Sequence, residues 1–175
     1  VQAGCAIGAE EIVITNGCQE ALVLALQAVT RPGDVVAIES PTFYGLLQAL
    51  EALQVEALEI PTDPVEGLSL EALQLALERW PVKAVVATPS FSNPLGYCMP
   101  PARKRGLLEL LGRHGVPLIE DDLYGDLGFG AQRPPPCLSL ADGTGAEVIY
   151  CSSFSKTLSP GLRVGWILPG RHLAR

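Results

Sequence analysis

The sequence predicts an α/β fold of three layers: a mostly parallel seven-stranded sheet with helices on both faces and an antiparallel last strand. Three observations carry this. Short β-rich runs alternate with longer helical patterns along most of the chain, the arrangement that parallel strands joined by helical crossovers produce. Runs such as Val35-Val36-Ala37-Ile38 and Ala84-Val85-Val86-Ala87 are apolar at every position, as strands covered on both faces are. The connection between the final two runs is too short for a helical crossover, which turns the last strand antiparallel.

In order, strands are expected over residues 11–15, 35–39, 55–60, 84–88, 117–121, 148–151 and 163–168. Helices are expected over residues 19–29, 44–53, 70–80 and 102–114, the last opened by Pro100-Pro101 and closed by Gly115. Pro134-Pro135-Pro136 reads as a stiff surface loop within one domain, because the strand that follows is needed to complete the same sheet.

With 175 residues, 48% of them hydrophobic, the chain is long enough for one domain with a substantial core. Glycine and proline make up about a fifth of it, too few for low-complexity disorder. A net charge of −7 argues against nucleic-acid binding by this segment, and the short Arg103-Lys104-Arg105 run reads as a solvated helix face. The five cysteines (Cys5, Cys18, Cys98, Cys137, Cys151) are odd in number and widely spaced, with no C-x-x-C pair, so neither a disulfide framework nor a zinc site is expected and a reducing cytoplasm fits. No run approaches a membrane span. The Val1-Gln2-Ala3-Gly4 start and the Arg175 end suggest an internal fragment of a longer protein.

In sheets of this kind ligands gather beyond the carboxyl ends of strands. Five segments fall there: residues 16–18, 40–44, 89–94, 121–124 and 152–156. Asn16-Gly17-Cys18-Gln19 turns a strand into a helix whose first N–H groups attract a phosphate; Gly17 lets the backbone approach and Gln19 adds a donor, although most such turns bind nothing. Phe43 suits stacking on a flat heteroaromatic ring, against the commoner role of core aromatic. Asn93, before Pro94, is either a donor to a phenolate oxygen or an ordinary turn residue.

The strand ending Ile119-Glu120-Asp121-Asp122 delivers three carboxylates, and Tyr124 follows. Asp121 is placed to keep a pyridine nitrogen protonated, and Tyr124 to donate to the ring's phenolate oxygen. A magnesium site is the rival reading, but phosphate-substrate motifs are missing. Lys156 lies in Ser152-Ser153-Phe154-Ser155-Lys156-Thr157, directly after an apolar strand, where a desolvated amine can act as nucleophile and proton shuttle. Ser153, Ser155 and the fork of Arg163 are candidate phosphate donors. Together these are the groups that pyridoxal phosphate requires. The P-loop, G-x-S-x-G, H-E-x-x-H and complete G-x-G-x-x-G patterns are absent.

Ser40-Pro41-Thr42-Phe43-Tyr44-Gly45, Asn93-Pro94-Leu95-Gly96, Ile119-Glu120-Asp121-Asp122-Leu123-Tyr124-Gly125 and the stretch from Ser152 to Trp166 together resemble the fold-type I pyridoxal-phosphate enzymes of aminotransferase class I/II. Within these the chain is most similar to the kynurenine/2-aminoadipate aminotransferases and to the aminotransferase-like domains of MocR-type regulators. The resemblance implies a large domain over residues 1–175, lacking an N-terminal segment and a C-terminal small domain, that moves an amino group between an amino acid and a 2-oxo acid. It implies that Lys156 forms the Schiff base and that Asp121 meets the pyridine nitrogen. Asn93 and Tyr124 would contact the phenolate oxygen, Phe43 would stack, and Gly17, Cys18, Gln19, Ser153, Ser155 and Arg163 would hold the phosphate. Asp121 is preferred to Asp122 because the family's aspartate stands three residues before its tyrosine. A homodimer is implied too, with nucleic acid bound only through a separate domain if the chain is a regulator. Cys18 departs from the serine or alanine of many relatives.

Overall fold

The computed structural model describes residues 4–5, 7–130 and 132–173. Val1, Gln2, Ala3 and Arg175, read above as marks of a longer protein, lie outside the described residues.

Eight strands form one sheet: β1 (Val13–Thr15), β2 (Val35–Ser40), β3 (Glu56–Asp63), β4 (Gly67–Leu68), β5 (Val82–Ala87), β6 (Leu118–Asp121), β7 (Val148–Ser153) and β8 (Gly165–Leu168). Their order is β1-β8-β7-β6-β5-β2-β3-β4. The pairs β2–β3, β2–β5, β5–β6 and β6–β7 are parallel, and β8 runs antiparallel to both neighbours, as its short connection requires.

The expected seven strands become eight because the chain doubles back after β3. Asp63 accepts the N–H groups of Val65 and Glu66 at 2.7 and 2.8 Å, and the resulting turn returns two residues antiparallel to β3. Gly67 there has φ +83°, and a Cβ on it would stand 2.7 Å from the Tyr97 ring, so glycine is needed. Two residues are too few to leave a periodic signal.

The helices are α1 (Cys18–Val29), α2 (Tyr44–Ala52), α3 (Leu70–Arg79), α4 (Pro101–His114) and a single turn, α5 (Cys137–Leu140). Ser69 caps α3 by accepting the N–H of Ala72, and Gly115, at φ +64°, ends α4. The chain moves from β2 to β3 in one direction and from β5 to β6 in the other, so right-handed crossovers put α2 and α4 on opposite faces. One core packs α1 and α2 against Val36, Ile38, Ala84, Val86, Ile119 and Ile149; the other packs α3, α4 and α5 against Ala37, Val85, Ala87, Leu118 and Val148. Alternate residues of one strand thus enter different cores, which explains their unbroken apolarity. Leu107, Leu108, Leu110 and Leu111 of α4 are buried, each contributing about 1.5–3 kcal/mol of gross transfer energy.

The basic run in α4 corrects the expectation of a solvated face. Lys104 is fully buried and donates to Ser90 Oγ at 2.7 Å and to the Pro135 carbonyl at 2.8 Å. Arg103 is half-buried near Glu66 and Glu71, and only Arg105 is exposed. The proline loop is correspondingly no free surface loop: Pro136 is buried and leads into α5. Among the described residues no helix is long and apolar enough to cross a membrane.

Candidate functional site

The carboxyl ends of β2, β5, β6 and β7 and the start of α1 surround a cavity of about 220 Å³. The sheet order reverses between β2 and β5, where an open α/β sheet places its ligand crevice. Every site residue predicted from sequence except Gly17 lines this cavity. Cys18 and Gln19 enter from α1, Phe43 from the loop after β2, Asn93 from the loop after β5, and Asp121 and Tyr124 from the end of β6. Ser153, Ser155 and Lys156 follow β7, and Arg163 precedes β8. The loops after β2 and β5 each pass through a cis proline, Ser40-Pro41 and Asn93-Pro94.

One end is built for an anion. Gly17, at φ +85°, precedes the free N–H groups of the first turn of α1. Arg163 lies across it, donating to the Asn16 carbonyl at 2.9 Å, and a Cβ on Gly17 would stand 2.5 Å from the guanidinium. A Cβ on Gly165 would likewise meet the Gly17 carbonyl carbon at 2.5 Å, so two glycines let β8 and the α1 turn close on each other. Ser153 Oγ accepts the Ser155 N–H at 3.2 Å, which leaves the Ser153 hydroxyl proton free to donate. The Gln19 amide is partly spent: Nε2 donates to the Gly45 carbonyl at 2.8 Å and ties α1 to the start of α2.

The other end holds one available carboxylate among three. Glu120 points to the opposite face and accepts the N–H groups of Cys137 and Leu138 at 2.7 and 3.0 Å. Asp122 is taken by Arg133 and by the Tyr150 hydroxyl, and Arg133 also reaches Asp126 at 2.7 Å. Only Asp121 faces the cavity, so the three do not converge as a metal cage would need. Burial pushes the Asp121 carboxyl up to about 6, with Asp122 adding to the rise and the Cys18 thiol and Leu123 N–H holding it down. The Cys18 thiol donates to Asp121 Oδ1 at 3.4 Å; burial, first, and Asp121 push that thiol's pKa well up, so it stays a donor. The Cys18 side chain therefore serves the carboxylate end of the cavity.

Between the ends, the Phe43 ring stands 4.7 Å from that of Tyr44, and Gly45 makes room for it, since a Cβ there would lie 2.3 Å from Phe43 Cε1. Lys156 Nζ is 6.0 Å from the centroid of the Tyr124 ring. This lysine is exposed, which corrects the expectation of a desolvated amine. Sequence reading missed Leu22 and Thr88 in the lining, and gave Leu123, inside the expected 121–124 segment, no role. Thr88, the last residue of an expected strand, carried a positional signal; Leu22 carried none.

The family described as aminotransferase class I and II matches residues 2–173. The chain belongs to this family. As a class I and II aminotransferase domain it is 50% identical over 173 residues to the uncharacterized HTH-type transcriptional regulator YjiR of Escherichia coli, covering 98% of this chain and 36% of that protein. It is 42% identical over 159 residues to the 2-aminoadipate transaminase of Thermus thermophilus, covering 90% of this chain and 40% of the relative. The crystal structure of LysN, an α-aminoadipate aminotransferase of Thermus thermophilus complexed with N-(5'-phosphopyridoxyl)-L-leucine, superposes with a TM-score of 0.89 at 36% identity, over 96% of this chain and 44% of that one. The chain spans well under half the length of the curated relatives it matches.

Proposed function

We propose that residues 1–175 are the pyridoxal-phosphate-binding large domain of an aminotransferase that moves an amino group between an amino acid and a 2-oxo acid. The observation that carries this reading is the pairing of an anion cradle at Gly17 and Arg163 with a cavity onto which one carboxylate of the β6 cluster, Asp121, and an amine, Lys156, both face. The fit is chemical: a Cβ at Gly17 would fill the cradle, and the raised Asp121 carboxyl gains by meeting a cation.

When bound, the cofactor supplies an aldehyde and an electron-accepting ring. Arg163, Ser153, Ser155 and the first N–H groups of α1 would hold its phosphate, with Gln19 fixing that turn. Asp121, oriented by Cys18, would keep the ring nitrogen protonated. Asn93 and Tyr124 would donate to the phenolate oxygen, and Phe43 would stack on the ring. Lys156 Nζ would take the cofactor's aldehyde and later carry the proton at the substrate's α-carbon.

The identity of 50% with HTH-type regulators favours a second reading, in which the same site senses an amino compound for a DNA-binding domain elsewhere in the protein. Exposed Tyr44, Leu158 and Leu162 support a homodimer packed over the cavity mouth, and the buried thiols of Cys18, Cys137 and Cys151 suit a cytoplasmic setting.

An absorption titration with pyridoxal phosphate tests the site. The wild type gives a saturable visible band, and Lys156→Ala, shown folded by circular dichroism, loses it. A variant with an unchanged band and affinity would refute the assignment. Amino-group exchange between amino and 2-oxo acids, measured on the full-length protein, separates transferase from sensor.

A further inference from the structure

Glu39, the penultimate residue of β2, is a carboxylate only 2% exposed, on the face it shares with Ala37 and Tyr97, opposite the cavity. One of its oxygens accepts the backbone N–H of Thr88 at 3.1 Å and the other accepts the phenol of Tyr97. These are the two legs of a single loop. Thr88 leaves β5 and lines the cavity, while the Tyr97 carbonyl accepts the N–H of Ser92 at 2.9 Å. Ser92 in turn accepts the N–H of Gly96 at 2.6 Å, and Ser90 and Cys98 bridge the legs below. Asn93 stands at the tip. On its other side Glu39 is joined through Ser40 to the segment that carries Phe43.

A buried carboxylate is costly unless it is fully used, and an apolar residue would pack here at less expense. Its two bonds cross from β2 to the β5 loop where the parallel ladder has already stopped, since the last β2–β5 pair is Ile38 with Val86. Among the described residues no β2–β5 ladder pair holds that loop against β2 beyond this point, and Glu39 substitutes for it. Tyr97, buried against Gly67 and Met99, fixes the far leg to the β3–β4 edge.

We propose that Glu39 is a positioning residue: it fixes Asn93 relative to Phe43, and so sets the hydrogen bonding of the cofactor's ring without touching it. This rests on the cofactor reading above. A donor at the phenolate oxygen favours the deprotonated form of the bound chromophore, so releasing Asn93 moves the pH midpoint of the visible band upward.

The test uses wild type, Glu39→Ala, Glu39→Gln and Tyr97→Phe. Each is measured for pyridoxal-phosphate affinity, for the pH midpoint of its visible band and, without cofactor, for amide hydrogen exchange over residues 88–99. Glu39→Ala is expected to bind about tenfold more weakly, with the midpoint raised by about half a unit or more and exchange at Ser92 and Gly96 accelerated. Glu39→Gln keeps an acceptor for Thr88 and falls between. Tyr97→Phe frees one leg and shifts the midpoint in the same direction. If Glu39→Ala does not fold, the other two variants decide by the same readings. Folded variants that bind within about twofold of wild type, with unmoved midpoints, overturn the proposal. If the wild type itself gives no band, the cofactor reading fails, and unchanged exchange in the variants then overturns the role of Glu39 independently.

Discussion

At Gly17 a hydrogen is the only side chain that fits, because both the backbone conformation and the Arg163 guanidinium exclude a methyl group. Gly33 has nearly the same positive φ, +86°, but open space where its Cβ would lie. The pair separates strain from collision. Gly33→Ala is expected to lose about 1 kcal/mol of stability, and Gly17→Ala about 1–3 kcal/mol together with about tenfold in pyridoxal-phosphate affinity, read from urea unfolding and absorption titration. Equal effects at the two positions would mean that Arg163 does not seat on Gly17. The cavity-lining residues were legible because each belongs to a short local motif. What they touch was not. The Cys18 thiol finds Asp121 across 103 residues and the Gln19 amide finds Gly45 across 26, and no local pattern encodes contacts that only packing creates.

On the scale of elements, α4 shows how a charge run misleads. Its sequence offers Arg103, Lys104 and Arg105 in succession, but successive helical residues lie about 100° apart, so the three cannot share a face. The middle one turns inward beside Leu107, Leu108 and Leu111 and is satisfied by Ser90 and Pro135. Lys104→Met should therefore destabilise the domain by about 1–3 kcal/mol in urea unfolding, since the Pro135 carbonyl is left without a donor. A change below about 0.5 kcal/mol, the usual result on a solvated face, would contradict this placement. The longer elements were readable because helices packed on both faces of a parallel sheet impose apolar runs on its strands. β4 and α5 were not, being two and four residues long and set by the Asp63 turn and by Glu120's hold on Cys137 and Leu138.

Across the whole molecule, Glu39, Glu120 and Asp121 sit near the carboxyl ends of β2 and β6, and of the three only Asp121 lines the cavity. Burial, the largest cause in each case, pushes Glu39 and Glu120 from 4.5 up to about 7, and Asp121 from 3.8 up to about 6. The folded state thus holds protons that the unfolded chain has released, so the stability these three groups contribute is fully present below about pH 4 and is lost as pH rises through the interval between about 4 and 7. A fully expressed shift of two units is worth about 3 kcal/mol. The cofactor-free domain should therefore unfold at lower urea at pH 8 than at pH 5, and flat midpoints over that interval would contradict the buried placement of these groups. Binding the cofactor gives Asp121 a cation, so the loaded protein should lose less over the same range. The account as a whole rests on one covalent link, which borohydride reduction of the pyridoxal-phosphate-loaded protein, followed by peptide mass spectrometry, tests most directly. A phosphopyridoxyl adduct on Lys156 alone is the predicted result. An adduct on another lysine, or spread over surface lysines with Lys156 unmodified, would contradict it.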